Sequence, residues 1–553
     1  MYQCIIGLLL QEAWFELVLL RSDTVNDIMG GFSGLLAGAI MSFFGEVHNM
    51  MRSGISLVLQ DGTRHHLFMA MKVFLADEGA LHLGYTCKGA SGLKPCMLCA
   101  NIFNYNETRD IVARDTTGVA QHHVTHDASK LKFHTTESII AIVRQLEAAH
   151  GTMGVGAFAE LETRLGWNYV PGGIMYNTIT RSLMDPVSIA MYDWMHIIFV
   201  SGVFGVNMGQ VMWKLKDHGV SYAKLHEYLQ HFTWPRFLRS VSGKDTCTPK
   251  RARSSWNDVT YKATASESLS VFPVFANYFS EFIHGVAPAP SNFAKGVVAN
   301  LLQLVRVVEL ILKSYRCNVP PVQLQAAIKD YMQGYAKLHS LDTMIIKFHF
   351  LLHLPGFLKK YGFLQNCFVH ERKHKLPKRF ANHNTNITSE WDTSLIRDVT
   401  CHHLSSLHDD DGRFEVKSSL IGAHDAPSTV RTALEAQFGP GNYKIASAAR
   451  GPTYDKFSVH DVVYYHEAAS HSDGTASHLA GKVGMLMSAE VHGETIPVVL
   501  MEGYAHVRRT SRGDEWRASG MMKVCHLDAI VGAVIYRSLG DDCILTLTPL
   551  WLR

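Results

Sequence analysis

Five segments of the chain carry side chains able to do chemistry. The run Phe74-Leu75-Ala76-Asp77-Glu78-Gly79 puts acids at the end of a short apolar stretch. An apolar strand would fix such a carboxylate while its tip reaches solvent, which suits a divalent-metal ligand; turn formation or capping is the other use of the same residues. Cys96 and Cys99 make a C-x-x-C, whose two intervening residues let both thiolates face one ion. A redox pair is the alternative, but the βαβ context of such motifs is absent around it. Further on, Lys347-Phe348-His349-Phe350-Leu351-Leu352-His353-Leu354-Pro355 places two His at i and i+4. On a helix both imidazoles then share one face and can reach one metal, and two His on an apolar helix are costly without partners. Cys96, Cys99, His349 and His353 are therefore a candidate zinc set.

The fourth segment, Phe368 to Lys375, embeds Glu371 among Arg372, Lys373 and Lys375, with Lys378 and Arg379 just beyond. It reads either as a helix with a Glu371–Lys375 ion pair or as a metal-binding carboxylate flanked by cations that grip phosphates. The fifth, Tyr192-Asp193-Trp194-Met195-His196, opens a long apolar stretch. There Asp193 complements a helix N-terminus or works with His196 as an acid/base pair, which would require the two to line a pocket away from Asp77 and Glu371.

The surrounding pattern says what must position these groups. Residues 1–135 mix short apolar runs with turns: an apolar Ile5–Leu10 strand running into a helix over Glu12–Leu20, a buried helix over Gly31–Phe44, and a hairpin from Ile55–Leu59 through Asp61-Gly62 to Leu67–Leu75. From Thr136 to Tyr361 apolar residues recur at i, i+3 and i+4, as in Ile139–Ala149, Tyr192–Leu215, Ser266–Ile283, Phe293–Ser314 and Val322–Leu354, which predicts a helical block over 136–345. Ser240–Trp256 interrupts it as a polar basic loop with Lys244, Lys250, Arg251 and Arg253, either solvated or a phosphate-contacting or nuclear-import patch. Residues 396–445, with His402, His403, His408 and Asp409–Asp411, read as a linker whose His and Asp crowding is either a solvated charge run or a metal site. Alternating apolar runs between Val459 and Tyr536 predict a small β-domain over 446–553.

Composition narrows the classes. With 553 residues and 47% apolar content the chain has ample material for a core, so bulk disorder is excluded. Lys plus Arg exceed Asp plus Glu by only 52 − 49 = 3, so any nucleic-acid surface must be a local patch. The ten Cys are scattered, which excludes a small disulfide framework and favours a reducing compartment. Met1–Leu20 carries Gln11, Glu12 and Glu16 and lacks a basic start, so it fails as a signal peptide, and Gly31–Phe44 falls short of the ~20 residues that cross a bilayer. No membrane association is expected.

In this order the motifs resemble a cut-and-paste DNA transposase of the three-carboxylate (DDE) type, nearest to the CACTA (En/Spm) or tnp2-like group. The resemblance covers roughly residues 10–395 and rests on the acid-to-C-x-x-C span Asp77–Cys99, the acid-x-Met-His motif within Tyr192–His196, and the K-x-H-x-x-x-H-x-P segment leading to Glu371 and His374. It implies an α+β chain: a partial RNase H-like core over 1–135, interrupted by the helical insertion and completed by 346–395. A small β-barrel-like domain, vaguely similar to a bromo-adjacent-homology module, would follow. It implies Asp77 and Glu371 as the second and third catalytic carboxylates, taking Mg²⁺ or Mn²⁺, and a structural zinc on Cys96, Cys99, His349 and His353, as in the related antigen-receptor recombinase. It also implies DNA as partner, with Arg372, Lys373, Lys375, Lys378 and Arg379 on the backbone, and a nuclear location, failing which a cytoplasmic one. The family's first carboxylate would precede this sequence, and Asp23, Asp27 and Asp61 stand in no matching context. An N-terminally incomplete, inactive transposase is therefore expected, unless a second copy or another chain supplies the missing part. The alternative is a non-catalytic DNA- or chromatin-binding derivative of that fold.

Overall fold

The computed structural model describes residues 2–8, 11–18, 20, 22–45, 49–103, 111–114, 120–122, 127–183, 185–285, 290–368, 375–383, 391–408, 418–452, 456–466, 478–491 and 494–552. The chain is 51% helical and 21% strand, a mixed helix-and-sheet protein. It divides into two compact units. One contains residues 1–5, 14–207 and 314–407; the other contains 6–13, 208–313 and 408–553. This division cuts across the expected one. The helical block over 136–345 is shared between the units, and the C-terminal strands form one unit with the helices of 208–313.

In the first unit two short strands lie side by side. Phe74–Ala76 pairs parallel with Ala190–Tyr192, with Ala76 opposite Tyr192. Each runs at once into a helix, Glu78–Tyr85 capped by Asp77 and Trp194–Ile198 capped by Asp193. The expected helix from Tyr192 thus begins two residues later, because the backbone over Ala190–Tyr192 is committed to the strand pair. Gly31–Phe44 is the expected helix, burying Leu36, Ala37 and Ile40. A hairpin turns at Asp61-Gly62, but its second strand is Arg64–Leu67, antiparallel to Ile55–Val58, not the expected Leu67–Leu75, whose end enters the pairing with Ala190–Tyr192; Gly62 is at φ 83°, the left-handed conformation glycine adopts freely at such a turn. Residues Glu12–Leu20, expected as helix, instead lie largely in the strand Gln11–Val18, which pairs with Tyr2–Leu8. Clustered Trp14, Phe15 and Val18 suit a strand better than a helix.

The second unit carries a long antiparallel ladder, Leu479–Val491, Glu494–Arg509 and Gly513–His526, extended by Cys543–Leu547, Tyr536–Gly540 and finally Phe232–Thr233 from the helical block. The sheet path is open: among the described residues no ring of strands closes, so the barrel-like expectation is not met. Phe457, Val463, Val483, Val499, Met501 and Leu527 form one core, and Tyr464, Trp516 and Ile544 belong to another. The buried Thr546 hydroxyl lies 2.8 Å from Trp516 Nε1, which donates to it, and 2.7 Å from the Tyr464 hydroxyl.

Two stretches read as loops are structured. Ser240–Trp256 contains a helix, Pro249–Asn257, started by Pro249 and burying Ala252 and Ser255. Arg251 there holds Glu267 through two 2.9 Å bonds. Residues 396–445 contain most of the helix Trp391–His408, the helix Ser428–Phe438 and short strands at Ser419–Ile421 and Tyr443–Ala446. Ala426 and Leu434 bury against Tyr443 and Met487, apolar contacts that a polar linker reading overlooked. The helical run Trp194–His218 is long and apolar enough to cross a membrane, and 78% of its apolar window is buried in the protein, as a core helix is.

Candidate metal centre

The C-x-x-C sits in a loop whose backbone is tied down on both sides. His134 N–H donates to Leu98 C=O at 2.9 Å and Ala100 N–H to Lys132 C=O at 2.8 Å. The buried Asn101 side chain donates to Lys130 C=O and accepts from Lys132 N–H, both at 2.9 Å. These bonds hold Cys96 and Cys99 at one spot with almost no solvent exposure.

The two His come from further along the same unit. His349 lies in the short helix Ile346–Leu351, and His353 is the residue before the next one, Leu354–Tyr361, whose second residue is Pro355. The expected single helix over Val322–Leu354 is broken, with Pro321–His339 ending at Ser340 in a positive-φ conformation. The i,i+4 relationship of the His pair survives, with the ring Nε2 atoms 3.1 Å apart. Phe350 stacks on Tyr192 at 4.2 Å between centroids, and Phe133 meets the His353 ring edge-on at 5.7 Å. Aromatic contacts thus lock the His segment to the strand end and to the loop.

The four donor atoms all lie within 4.8 Å of one another. His353 Nε2 is 3.5 Å from Cys96 Sγ and 3.6 Å from Cys99 Sγ. A tetrahedral ion with Zn–S about 2.3 Å and Zn–N about 2.0–2.1 Å separates S from N by roughly 3.6 Å and N from N by roughly 3.3 Å. The observed spacings match that geometry. His349 Nδ1 is buried with no hydrogen-bond partner.

The electrostatics agree. Burial opposes ionisation of Cys96, yet Cys99 and the two imidazoles outweigh it and hold its pKa well below the usual thiol value. Burial and the neighbouring Cys96 push the Cys99 thiol well above it, and burial pulls His349 down toward the neutral ring. One thiolate, a suppressed second one and a neutral imidazole are what a donor set shows before a cation balances it. The cluster can bind a metal such as zinc.

The acids lie nearby in the same unit. Asp77 Oδ1 accepts from Ala80 N–H at 2.6 Å, and its side chain is 45% exposed. Asp193 stands beside it, its own N–H donating to Ala76 C=O at 3.2 Å. Asp193 Oδ2 meets His196 Nδ1, and His196 Nε2 lies 4.0 Å from Asp77 Oδ2. The reading that put Asp193 and His196 in a pocket remote from Asp77 is therefore overturned: pairing of the two strands brings all three together.

Glu371, Arg372 and Lys373 lie outside the described residues. Lys375 begins the helix Lys375–His383, on which Lys378 and Arg379 are exposed. Leu395 and Val399 form a small buried core on which Leu376 and Phe380 of that helix pack. Sequence reasoning missed Tyr192, Asn101 and Phe133 as positioning residues; only the short apolar run Ala190–Tyr192 before an acid signalled the first. Comparison with protein families, characterised proteins and solved structures finds no match to this chain.

Proposed function

We propose that the first unit is the core of a transposon-derived DNA strand transferase of the DDE type, with zinc on Cys96, Cys99, His349 and His353 as a structural pin. The observation that carries this reading is a buried Cys/His set drawn from segments 257 residues apart, with Cys96 Sγ 3.8 Å from the hydroxyl of Tyr192, whose strand pairs in parallel with the one that runs into Asp77. A carboxylate at such a strand end, beside a segment pinned from far along the chain, suits an RNase H-like core with a long insertion. Asp77 and Glu371 would hold Mg²⁺ or Mn²⁺, which supplies activation of water or a 3′-hydroxyl and stabilises the departing oxygen of a phosphodiester. The exposed Lys378 and Arg379 would grip the DNA backbone, giving sequence-independent, salt-sensitive affinity. Such a protein would act in the nucleus.

The test is nicking of plasmid DNA by the purified chain in Mg²⁺ or Mn²⁺. Nicking, by the chain alone or with an added chain that supplies a further carboxylate, that vanishes in Asp77→Ala and Glu371→Ala with zinc content unchanged is the expected result. DNA retention with no nicking under either metal would replace the reading with a non-catalytic DNA- or chromatin-binding protein. No DNA binding at all would remove both.

A further inference from the structure

We infer that the second unit carries a binding surface for single-stranded DNA, in which Trp213 and Phe293 are stacking platforms for bases and Lys214, Lys216, Lys250 and Arg253 hold phosphates. The inference goes beyond the reading above and rests on it only for the choice of DNA over RNA.

Three helices of that unit build the surface. Trp213 lies near the end of Val203–Leu215, Trp256 near the end of Pro249–Asn257, and Phe293 is the second residue of Asn292–Lys313. The chain leaving the second of these helices passes the first across bare backbone, since a Cβ on Gly209 would fall 2.0 Å from Val259 C=O. This approach brings Trp256 against Trp213, with ring centroids 6.3 Å apart and planes at 63°. The buried Tyr222 meets Trp256 edge-on at 5.1 Å and fixes it in turn. Held in this way, Trp213 remains 45% exposed, and Phe293 48%. An isolated exposed ring needs no explanation. What marks this pair is the charge around it.

Lys216 Nζ stands 3.9 Å from the Trp213 ring centroid, and Lys214 Nζ 5.8 Å from that of Phe293. Lys250 and Arg253 are exposed on the helix that carries Trp256. Arg251 of the same helix is paired with Glu267, and Lys262 just beyond it with Asp258. Lys214, Lys216, Lys250 and Arg253 make no ion pair with any acid among the described residues. Asp217 is the exposed acid beside them. Uncompensated cations interleaved with flat apolar faces fit a chain that alternates phosphates with bases. An acidic peptide offers the charge without the flat faces, and a duplex keeps its base faces inside the stack. Only unpaired nucleotides present both. An ammonium over an exposed ring is the weaker contact, and a base stacked on Trp213 outcompetes it. The displaced Lys216 then swings on its flexible stem to the adjoining phosphate.

The experiment uses the full chain and three probes of equal length: oligo(dT), oligo(U) and a DNA duplex. Affinity is read by fluorescence anisotropy. Contact is read without any substitution, by ultraviolet crosslinking of an oligo(dT) carrying 5-iodouracil and peptide mapping. Expected are crosslinks at Trp213 or Phe293, with oligo(dT) bound at least as tightly as oligo(U). Trp213→Ala and Phe293→Ala should each weaken oligo(dT) binding about fivefold or more, while duplex affinity and the circular-dichroism spectrum stay as in wild type. Trp213→Phe should restore most of the loss. Lys216→Gln should lower the slope of log affinity against log salt by about 0.7. Crosslinks confined to other residues, an equal loss of duplex binding in Trp213→Ala, or competition by poly-glutamate as strong as by oligo(dT) would overturn the inference. Tighter binding of oligo(U) would overturn the choice of DNA. A Trp213 crosslink in a protein that nicks no plasmid, alone or with an added chain, keeps this surface and removes the strand-transfer reading. Nicking by a protein that gives no such crosslink removes the surface and keeps that reading.

Discussion

Asp77 and Asp193 leave two neighbouring parallel strands at the same level, one half exposed and the other wholly buried. Their environments predict unequal costs of removal. Asp193→Ala strands three backbone N–H groups in a buried place, a loss of about 3 kcal/mol. Asp77→Ala removes one exposed cap, about 1 kcal/mol. Denaturant unfolding of the two variants should show that order, and equal losses would contradict it.

The Cys/His set predicts a metal-dependent first unit. Cys96→Ser and His349→Ala should each abolish one equivalent of bound zinc, measured by elemental analysis, and destabilise the unit by on the order of 5 kcal/mol. A strong chelator should reproduce the shift in wild type and add nothing to the variants. Tyr192→Phe, whose hydroxyl lies 3.8 Å from Cys96 Sγ, should keep the metal.

His82 gives a pH dependence. Burial, opposed by the weaker attractions of Cys96 and Asp77, pulls its pKa down to about 4 from 6.5. A Cβ on Gly89 would come within 2.3 Å of the His82 ring, so the imidazole lies flush against backbone at a positive-φ glycine. The folded state therefore binds fewer protons than the unfolded one. The contribution is complete above about pH 6.5 and is lost as pH falls toward 4, to a total of roughly 3 kcal/mol. Subtracting the stability profile of His82→Leu from that of wild type should isolate this slope; a flat difference would refute it.

Gly209 predicts a backbone clash. It lies in the helix Val203–Leu215, and a Cβ there would fall 2.0 Å from Val259 C=O and 2.6 Å from Thr260 Cα. Backbone cannot swing aside as a side-chain tip does. Gly209→Ala should cost about 3 kcal/mol or more despite alanine's better helix propensity. A thermal melt no lower than wild type would sink the prediction.

The second unit offers a buried-charge test. Glu309, 4% exposed, accepts from Arg512 at 2.8 Å. Arg512→Ala removes this bond from the buried acid, with Arg306 3.5 Å away on the same helix, for a loss of about 3 kcal/mol. The double variant Glu309→Leu/Arg512→Leu should recover most of it. Additive losses in the double variant would show that the pair is not coupled.

The sequence disclosed the metal set because C-x-x-C and a His pair at i,i+4 are local spacings, and they survive even where the predicted long helix breaks at Ser340. It disclosed the Asp61-Gly62 turn and the strand before it for the same reason, but not the polar strand Arg64–Leu67 that follows. The strand at Ala190–Tyr192 stayed hidden: three apolar residues before an acid look like the start of a helix, and only the partner Phe74–Ala76 makes them a strand. The helix Pro249–Asn257 was masked by its basic residues, although Thr248-Pro249 is a good helix start. The C-terminal apolar runs do form strands, several of them, such as Val462–Tyr465, buried on both faces, but such runs say nothing of whether a sheet closes.

The separation of Cys96 from His353 also sets a timetable for biosynthesis. A ribosome adding some 5–20 residues per second leaves the thiols waiting on the order of ten seconds or more before the second His exists. Through that interval Cys96 and Cys99 are an unfinished chelate, open to oxidation or to capture by a softer ion. For any metal held by this set, loading would therefore depend on the ion arriving after synthesis has passed the His segment, rather than on the affinity of the finished cluster alone.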